Sequence, residues 1–212
     1  PTTPVGTVVN LTWGGSTRLN EVPVFMIDGS VTVEDFVLFG DATGNGDITS
    51  EDASRILQYA VRLPVAIDLV AADVSGNGTV MAFDAAWVLQ KVVDSTLVFP
   101  VEGGPISKLA PTYGAVSWIA TDRDWALVSD QPLGATSATF SVSIPGGDAV
   151  TGVLGGMMVE YNQFGGDLNV ALLREPWSGT QILEIMLSSP PSTPPTINGV
   201  LDEETPIVLR PA

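Results

Sequence analysis

Neither cysteine nor histidine occurs in the 212 residues. Without cysteine there are no thiol nucleophiles, and without histidine there is no imidazole general base. Together the two absences remove zinc sites of the usual kind and the Ser-His-Asp triad. Basic residues are scarce: 8 Lys and Arg stand against 24 Asp and Glu, a formal net charge of −16. That field repels phosphate and anionic headgroups, so neither nucleic acid nor an anionic lipid surface is expected as a partner. No apolar run approaches the ~20 residues that cross a bilayer as a helix, and no basic-then-apolar leader opens the chain. Aromatic residues make up 7% of the chain, whereas glycine (22) and proline (16) are plentiful. This composition reads as a β-rich, turn-rich module rather than a helical enzyme.

One stretch is written twice. Asp41-Ala-Thr43-Gly-Asn45-Gly46-Asp47-Ile48-Thr49-Ser-Glu-Asp52 returns as Asp73-Val-Ser75-Gly-Asn77-Gly78-Thr79-Val80-Met81-Ala-Phe-Asp84, at an offset of 73 − 41 = 32 residues. A twelve-residue calcium loop supplies oxygens from positions 1, 3, 5, 7, 9 and 12 and needs glycine at position 6 for its sharp turn. The first copy offers Asp41, Thr43, Asn45, the Asp47 carbonyl, Thr49 and Asp52. The second offers Asp73, Ser75, Asn77, the Thr79 carbonyl, a water near Met81, and Asp84. Asn, Asp and Gly also form ordinary turns. An apolar residue at position 8 (Ile48, Val80) with a carboxylate at position 12, in both copies, sets these apart. Two calcium ions are therefore expected. Asp28 to Asp35 could be the second half of a third such loop, but Val24 and Met26 stand where its first ligands belong, so no ion is expected there.

The segments after the loops repeat as helices, Asp52 to Val61 and Asp84 to Val93, and no helix closely precedes either loop. A doubled loop-plus-helix unit with Asp in the last ligand position resembles the dockerin family. It departs from the family's commoner pattern at positions 3 and 5, where Thr43/Asn45 and Ser75/Asn77 replace Asn/Asp pairs. With two carboxylates per loop, affinity is expected toward the weak, extracellular end. The location is accordingly read as extracellular or cell surface, with any export leader removed or outside this sequence. Leu57, Ala60, Val61, Leu89, Val92 and Val93 fall at helical spacing as the unit's small core. Tyr59 and Trp87 are candidates for a partner-facing surface, with core packing as the alternative for each.

Around this unit the chain reads as strands, and the expected architecture is a multidomain α+β protein. Residues 1–39 are read as a β-strand segment, 40–99 as the helical calcium module, and 106–212 as an all-β, immunoglobulin-like sandwich. In the first segment the runs are Val5 to Trp13, Val22 to Ile27 and Ser30 to Phe39, with a hairpin at Asp28-Gly29. Asn10-Leu-Thr12 is a glycosylation sequon. The link from Pro100 to Pro105 is short and stiff. Beyond it, Val116 to Ala120, Trp125 to Val128, Ala138 to Ile144, Val150 to Glu160, Asp167 to Leu173 and Gln181 to Leu187 are runs of β-formers spaced by turns. Gly166 to Leu172, then Pro176-Trp-Ser-Gly-Thr, then Ile182 to Leu187 resemble the second half of a cohesin module. The Ser188 to Pro195 tract is an extended connector or a sugar-bearing patch. Leu19-Asn-Glu-Val-Pro-Val24 echoes Leu201-Asp-Glu-Glu-Thr-Pro-Ile-Val208 with one residue inserted, as if both were the last-strand region of such a sandwich.

The carboxylates of the sandwich, among them Glu160 and Glu184, sit in no acid or nucleophile motif and are read as outward-facing and solvated, so no catalysis is expected. The leading reading is a non-catalytic, calcium-stabilised assembly protein. Dockerins as a family dock onto cohesins, which implies as partner another copy of this chain or a cohesin- or dockerin-bearing protein. The N-terminal strands either fold back onto their own sandwich or complete a neighbour's, the latter giving a filament. The alternatives are a polysaccharide-binding module using Trp118, Trp125 and Trp177, and a calcium-stiffened spacer.

Overall fold

The computed structural model describes residues 8–11, 18–19, 22–23, 29–32, 37–104, 116–122, 124–131, 134–174, 179–189, 193–202, 205–207 and 209. Trp13, Asp28, Glu175 and Trp177 lie outside them. The chain divides into two units, Pro1–Val37 and Leu38–Ala212.

In the first unit, β1 (Val8–Leu11) pairs antiparallel with β4 (Gly29–Thr32), from Val8↔Thr32 to Leu11↔Gly29. Between them β2 (Arg18–Leu19) pairs with β3 (Val22–Pro23). The third run thus meets the first, and the expected hairpin turn at Asp28-Gly29 begins outside the described residues. Pro23, which contributes no N–H, ends the described part of the second run.

The second unit begins with three helices. Helix α1 (Ser50–Ala60) starts at Thr49, whose hydroxyl accepts from the Glu51 N–H while the Asp52 carboxylate reaches back to the Thr49 N–H, a reciprocal cap. It ends at Val61, with Arg62 in the left-handed region at φ 64° and Pro64 beyond. Helix α2 (Leu69–Ala72) is a single turn capped by Asp68, which accepts from the Val70 and Ala71 N–H groups. It runs directly into the second loop, which corrects the expectation that no helix precedes either one. Helix α3 (Ala82–Val93) follows that loop.

Among the described residues nine antiparallel strands follow: β5 (Val116–Ala120), β6 (Asp124–Ser129), β7 (Ser137–Ser143), β8 (Val150–Leu154), β9 (Met158–Phe164), β10 (Asp167–Leu173), β11 (Gln181–Leu187), β12 (Thr196–Leu201) and β13 (Thr205–Pro206). They form one sheet in the order β13-β12-β7-β10-β9 and another in the order β5-β6-β11-β8. The expected run from Val150 to Glu160 is two strands, because Gly155 and Gly156 turn the chain there. A parallel bridge joins Val116 to Leu209. Between the sheets pack Leu127, Phe140, Val142, Leu168, Val170, Leu172, Leu183 and Ile185.

Strand β10 is apolar on both faces. Leu168, Val170 and Leu172 enter the core between the sheets, while Ala171 and Leu173 join a second core with Ile56, Leu57, Val61, Phe83, Trp87 and Val88 of the helices. The five-stranded sheet is thus the middle of three layers, covered outside by α1 and α3. Polar contacts tie the layers: the Ala82 N–H to Thr139 Oγ1 (3.4 Å), Gln58 Nε2 to Glu160 (3.4 Å) and Asn162 Nδ2 to the Arg62 carbonyl (3.3 Å).

This packing corrects the expected core. Val92 and Val93 are exposed, at 43% and 89%, because α3 presents its first two turns to the sheet and its last turn overhangs. Trp87 is core, in an edge-to-face pair with Phe83 at 6.1 Å, and only Tyr59 reaches the surface. Glu160 is half-buried against α1 rather than solvated, because its face of β9 looks at the helices. The expected boundary after Phe99 is fastened down as well. Phe99 is 1% exposed in the helical core under the Lys91 ammonium, and the Val101 N–H donates to the Val74 carbonyl.

Candidate metal centres

In the first loop the Asp41 carboxylate accepts from the Asn45 and Gly46 N–H groups at 3.0 and 2.7 Å. Thr43 Oγ1 lies 3.2 Å from Asp41 Oδ1 and 2.9 Å from Asp52 Oδ1, so positions 1, 3 and 12 converge. Asp52 also receives the Thr43 N–H, the Thr49 N–H and the Thr49 hydroxyl. Asn45 Oδ1 accepts from the Asp47 N–H, and the Asp47 side chain is exposed, consistent with a backbone contribution at position 7.

The second loop repeats the geometry. Asp73 accepts from Gly76, Asn77 and Gly78, and Ser75 Oγ stands 3.2 Å from its Oδ1. Asp84 accepts from the Ser75 and Met81 N–H groups, and Asn77 Oδ1 from the Thr79 N–H and hydroxyl. Glycine at position 6 is required in both, since Gly46 and Gly78 sit at φ 92° and 87°.

Asp52 and Asp84 are fully buried and Asp41 nearly so, yet none of these carboxylates has a cationic side chain beside it among the described residues. Arg55 pairs with Glu51, 3.7 Å apart on the outside of α1, away from these carboxylates. Burial pushes the Asp84 carboxyl up to about 6, and the negative charge of Asp73 adds to the rise, against the N–H groups of Met81 and Ser75 that favour its ionised form. Buried carboxylates facing each other without a counter-charge are costly. A hard cation with a taste for oxygen supplies that charge, and the donor set of two carboxylates, hydroxyl, amide and carbonyl oxygens fits it. Among the described residues no three His, Cys, Asp or Glu side chains cluster, so each loop remains a two-carboxylate site.

Elsewhere the structure redraws the sequence reading. Trp125 is buried and Trp118 half-buried, their rings edge-to-face at 6.4 Å, and the Trp118 indole N–H is enclosed. Trp125, being buried, offers no face to a sugar. Asp202, which sequence reasoning did not single out, is 6% exposed; its carboxylate accepts from the N–H and hydroxyl of both Thr136 and Ser137, pinning the end of β12 to the start of β7. Its signal lay in the echo noted above. The two echoing segments are both hairpins in which equivalent residues pair, Arg18↔Pro23 and Leu19↔Val22 in one and Val200↔Pro206 and Leu201↔Thr205 in the other, the second with one residue more in its loop.

Two calcium-type loops, each feeding a helix, define the class of this module, and comparison with known proteins agrees. Residues 39–93 match the family model of the dockerin type I domain. Among solved structures, the chain is similar to a non-cellulosomal cohesin from the hyperthermophilic archaeon Archaeoglobus fulgidus. Identity is 12%, the likeness covers 46% of this chain and 85% of that one, and the TM-score is 0.34. It is also similar to the chitin-binding domain of a hyperthermophilic chitinase from Pyrococcus furiosus, with 14% identity, 49% and 100% coverage and a TM-score of 0.32. No curated protein matches the chain.

Proposed function

We propose that this protein is a non-catalytic assembly subunit of the cell exterior, in which two calcium ions hold a dockerin-like helix pair against the outer face of its own sandwich. The observation that carries the reading is the shared core: Ala171 and Leu173 of β10 are buried among the same residues as Ile56, Leu57, Trp87 and Val88. The ligands are Asp41, Thr43, Asn45, the Asp47 carbonyl, Thr49 and Asp52, and then Asp73, Ser75, Asn77, the Thr79 carbonyl and Asp84. Two carboxylates per site suit the millimolar calcium found outside cells.

Because α1 and α3 spend their apolar faces on β7, β9 and β10, the route to another molecule in this reading is strand exchange through the N-terminal segment. Its support is that equivalent residues pair in the two hairpins. A hairpin built like β12–β13 is built to lie where β12–β13 lies, on the edge of a β7-like strand, and head-to-tail addition of that kind does not close.

Light scattering and electron microscopy of the chain with calcium, with chelator, and after deletion of residues 1–23, which removes β1 and the β2–β3 hairpin, test this. The proposal requires calcium-dependent assemblies that the deletion abolishes while calorimetry still counts two ions. A monomer under all three conditions overturns the assembly, and a stoichiometry below two overturns the metal sites.

A further inference from the structure

We infer a binding site for a neutral glycan on the part of the five-stranded sheet that the helices leave uncovered, a site to which the assembly reading makes no reference. The row of outward-facing residues under the helices runs Val200, Thr139, Ala171 and Glu160 across β12, β7, β10 and β9. The next row is wholly polar, Asn198, Ser141, Asn169 and Asn162, and the one after it is Thr196, Ser143, Asp167 and Phe164. Where Arg62 comes down from the end of α1, a cleft of about 350 Å3 opens between Arg62, Ser141, Asn162, Phe164, Asp167 and Asn169. That volume lies at the small end of ligand pockets, roughly 300–1,000 Å3.

The donors and acceptors in the cleft are left over from folding. Asn169 is 8% exposed, yet its amide makes no hydrogen bond among the described residues. This amide lines the cleft on the face of β10 opposite to Leu168 and Val170, which point into the core between the sheets. Asn162 spends its Nδ2 on the Arg62 carbonyl and keeps its oxygen. Arg62 and Asp167 flank the same cleft without forming an ion pair. Beside them the Phe164 ring is 82% exposed at the Gly165-Gly166 turn, where an apolar surface of that size serves no core.

Adjacent amides that both donate and accept, a carboxylate that accepts from two hydroxyls, a guanidinium fork and an open ring together match a polyol with one C–H face. A polyanion is disfavoured because Asp167 stands in the cleft and the chain carries a net −16. The ligand class is therefore an uncharged sugar chain, with one residue stacked on Phe164 and its hydroxyls met by Asn162, Asp167 and Asn169.

Calorimetry and saturation-transfer NMR of the full calcium-loaded chain with soluble cello-, xylo-, manno- and chito-hexasaccharides, and with polygalacturonate as the anionic control, decide the matter. At least one neutral probe should bind, polygalacturonate should not, and Phe164→Ala should weaken binding about tenfold, the scale of one aromatic stacking contact. Because Phe164 is exposed, that variant should keep the parent melting temperature; Asn169→Asp, which removes the amide donor without changing size, should weaken binding as well. Ile119→Ala, on the opposite sheet, should bind as the parent does. Absence of binding to every neutral probe, preference for polygalacturonate, or parental affinity in Phe164→Ala overturns the site.

Discussion

In the first loop the position-12 carboxylate, Asp52, gathers the N–H and hydroxyl of both Thr43 and Thr49. In the second, Asp84 gathers the N–H and hydroxyl of Ser75 but only the N–H of Met81. The difference comes from position 9: threonine offers a hydroxyl oxygen there, donates to the buried carboxylate and caps α1, whereas methionine does none of these with its side chain. The second copy takes its support from elsewhere, from the α2 turn that leads into it and from Val101, which lies against Gly76. Near-identical ligand patterns thus produce one loop held by its own side chains and one held by its surroundings.

The largest test of that contrast is calcium removal. Calcium at about a hundred times Kd stabilises by roughly 2.7 kcal/mol per site, so stripping both loops should lower Tm by about 10–20 °C in differential scanning calorimetry. Chelator titration should empty the second loop first, and simultaneous loss of both ions would break the comparison. Single substitutions separate the sites: Asp41→Ala or Asp84→Ala should each reduce the calorimetric stoichiometry from two to one, with the Asp41→Ala protein retaining the weaker ion.

Smaller effects sharpen it. Thr49→Ala should cost about 0.5–2 kcal/mol in denaturant unfolding through the lost cap, and Met81→Thr should return a similar amount to the second site and narrow the gap in calcium affinity. Smallest are the position-4 glycines, Gly44 and Gly76, at φ 72° and 73°. Alanine in that conformation costs about 1 kcal/mol at either place. A new Cβ at Gly44 meets nothing within 4 Å, but at Gly76 it meets Val101 at 3.3 Å. Gly76→Ala should therefore be the more destabilising of the two.

The loops were legible from sequence because every group that defines them lies within twelve residues. Strands β5, β10 and β11 likewise emerged with their observed ends, since alternation and flanking turns are local signals. What escaped was set by distant partners. Val92 and Val93 continue the helical period of α3, yet the period cannot say that the sheet stops short of them. The partner of Glu160 is Gln58, about a hundred residues away, and no pattern within β9 announces it. The β1–β4 pairing escaped for a similar reason, because the tempting Asp-Gly turn ignores which strand the third run would meet.

Strand β10 has a core on each side, and this fixes what can be inherited as a piece. A gene fragment ending after Pro100 would encode helices whose apolar faces meet water, and one beginning there would encode a sheet with Ala171, Leu173 and Met158 bare. Neither fragment is a bead that recombination could move to a new string. The heritable unit is the helix pair together with its sheet, so this dockerin-like segment should travel between genes only in the company of the sandwich it covers.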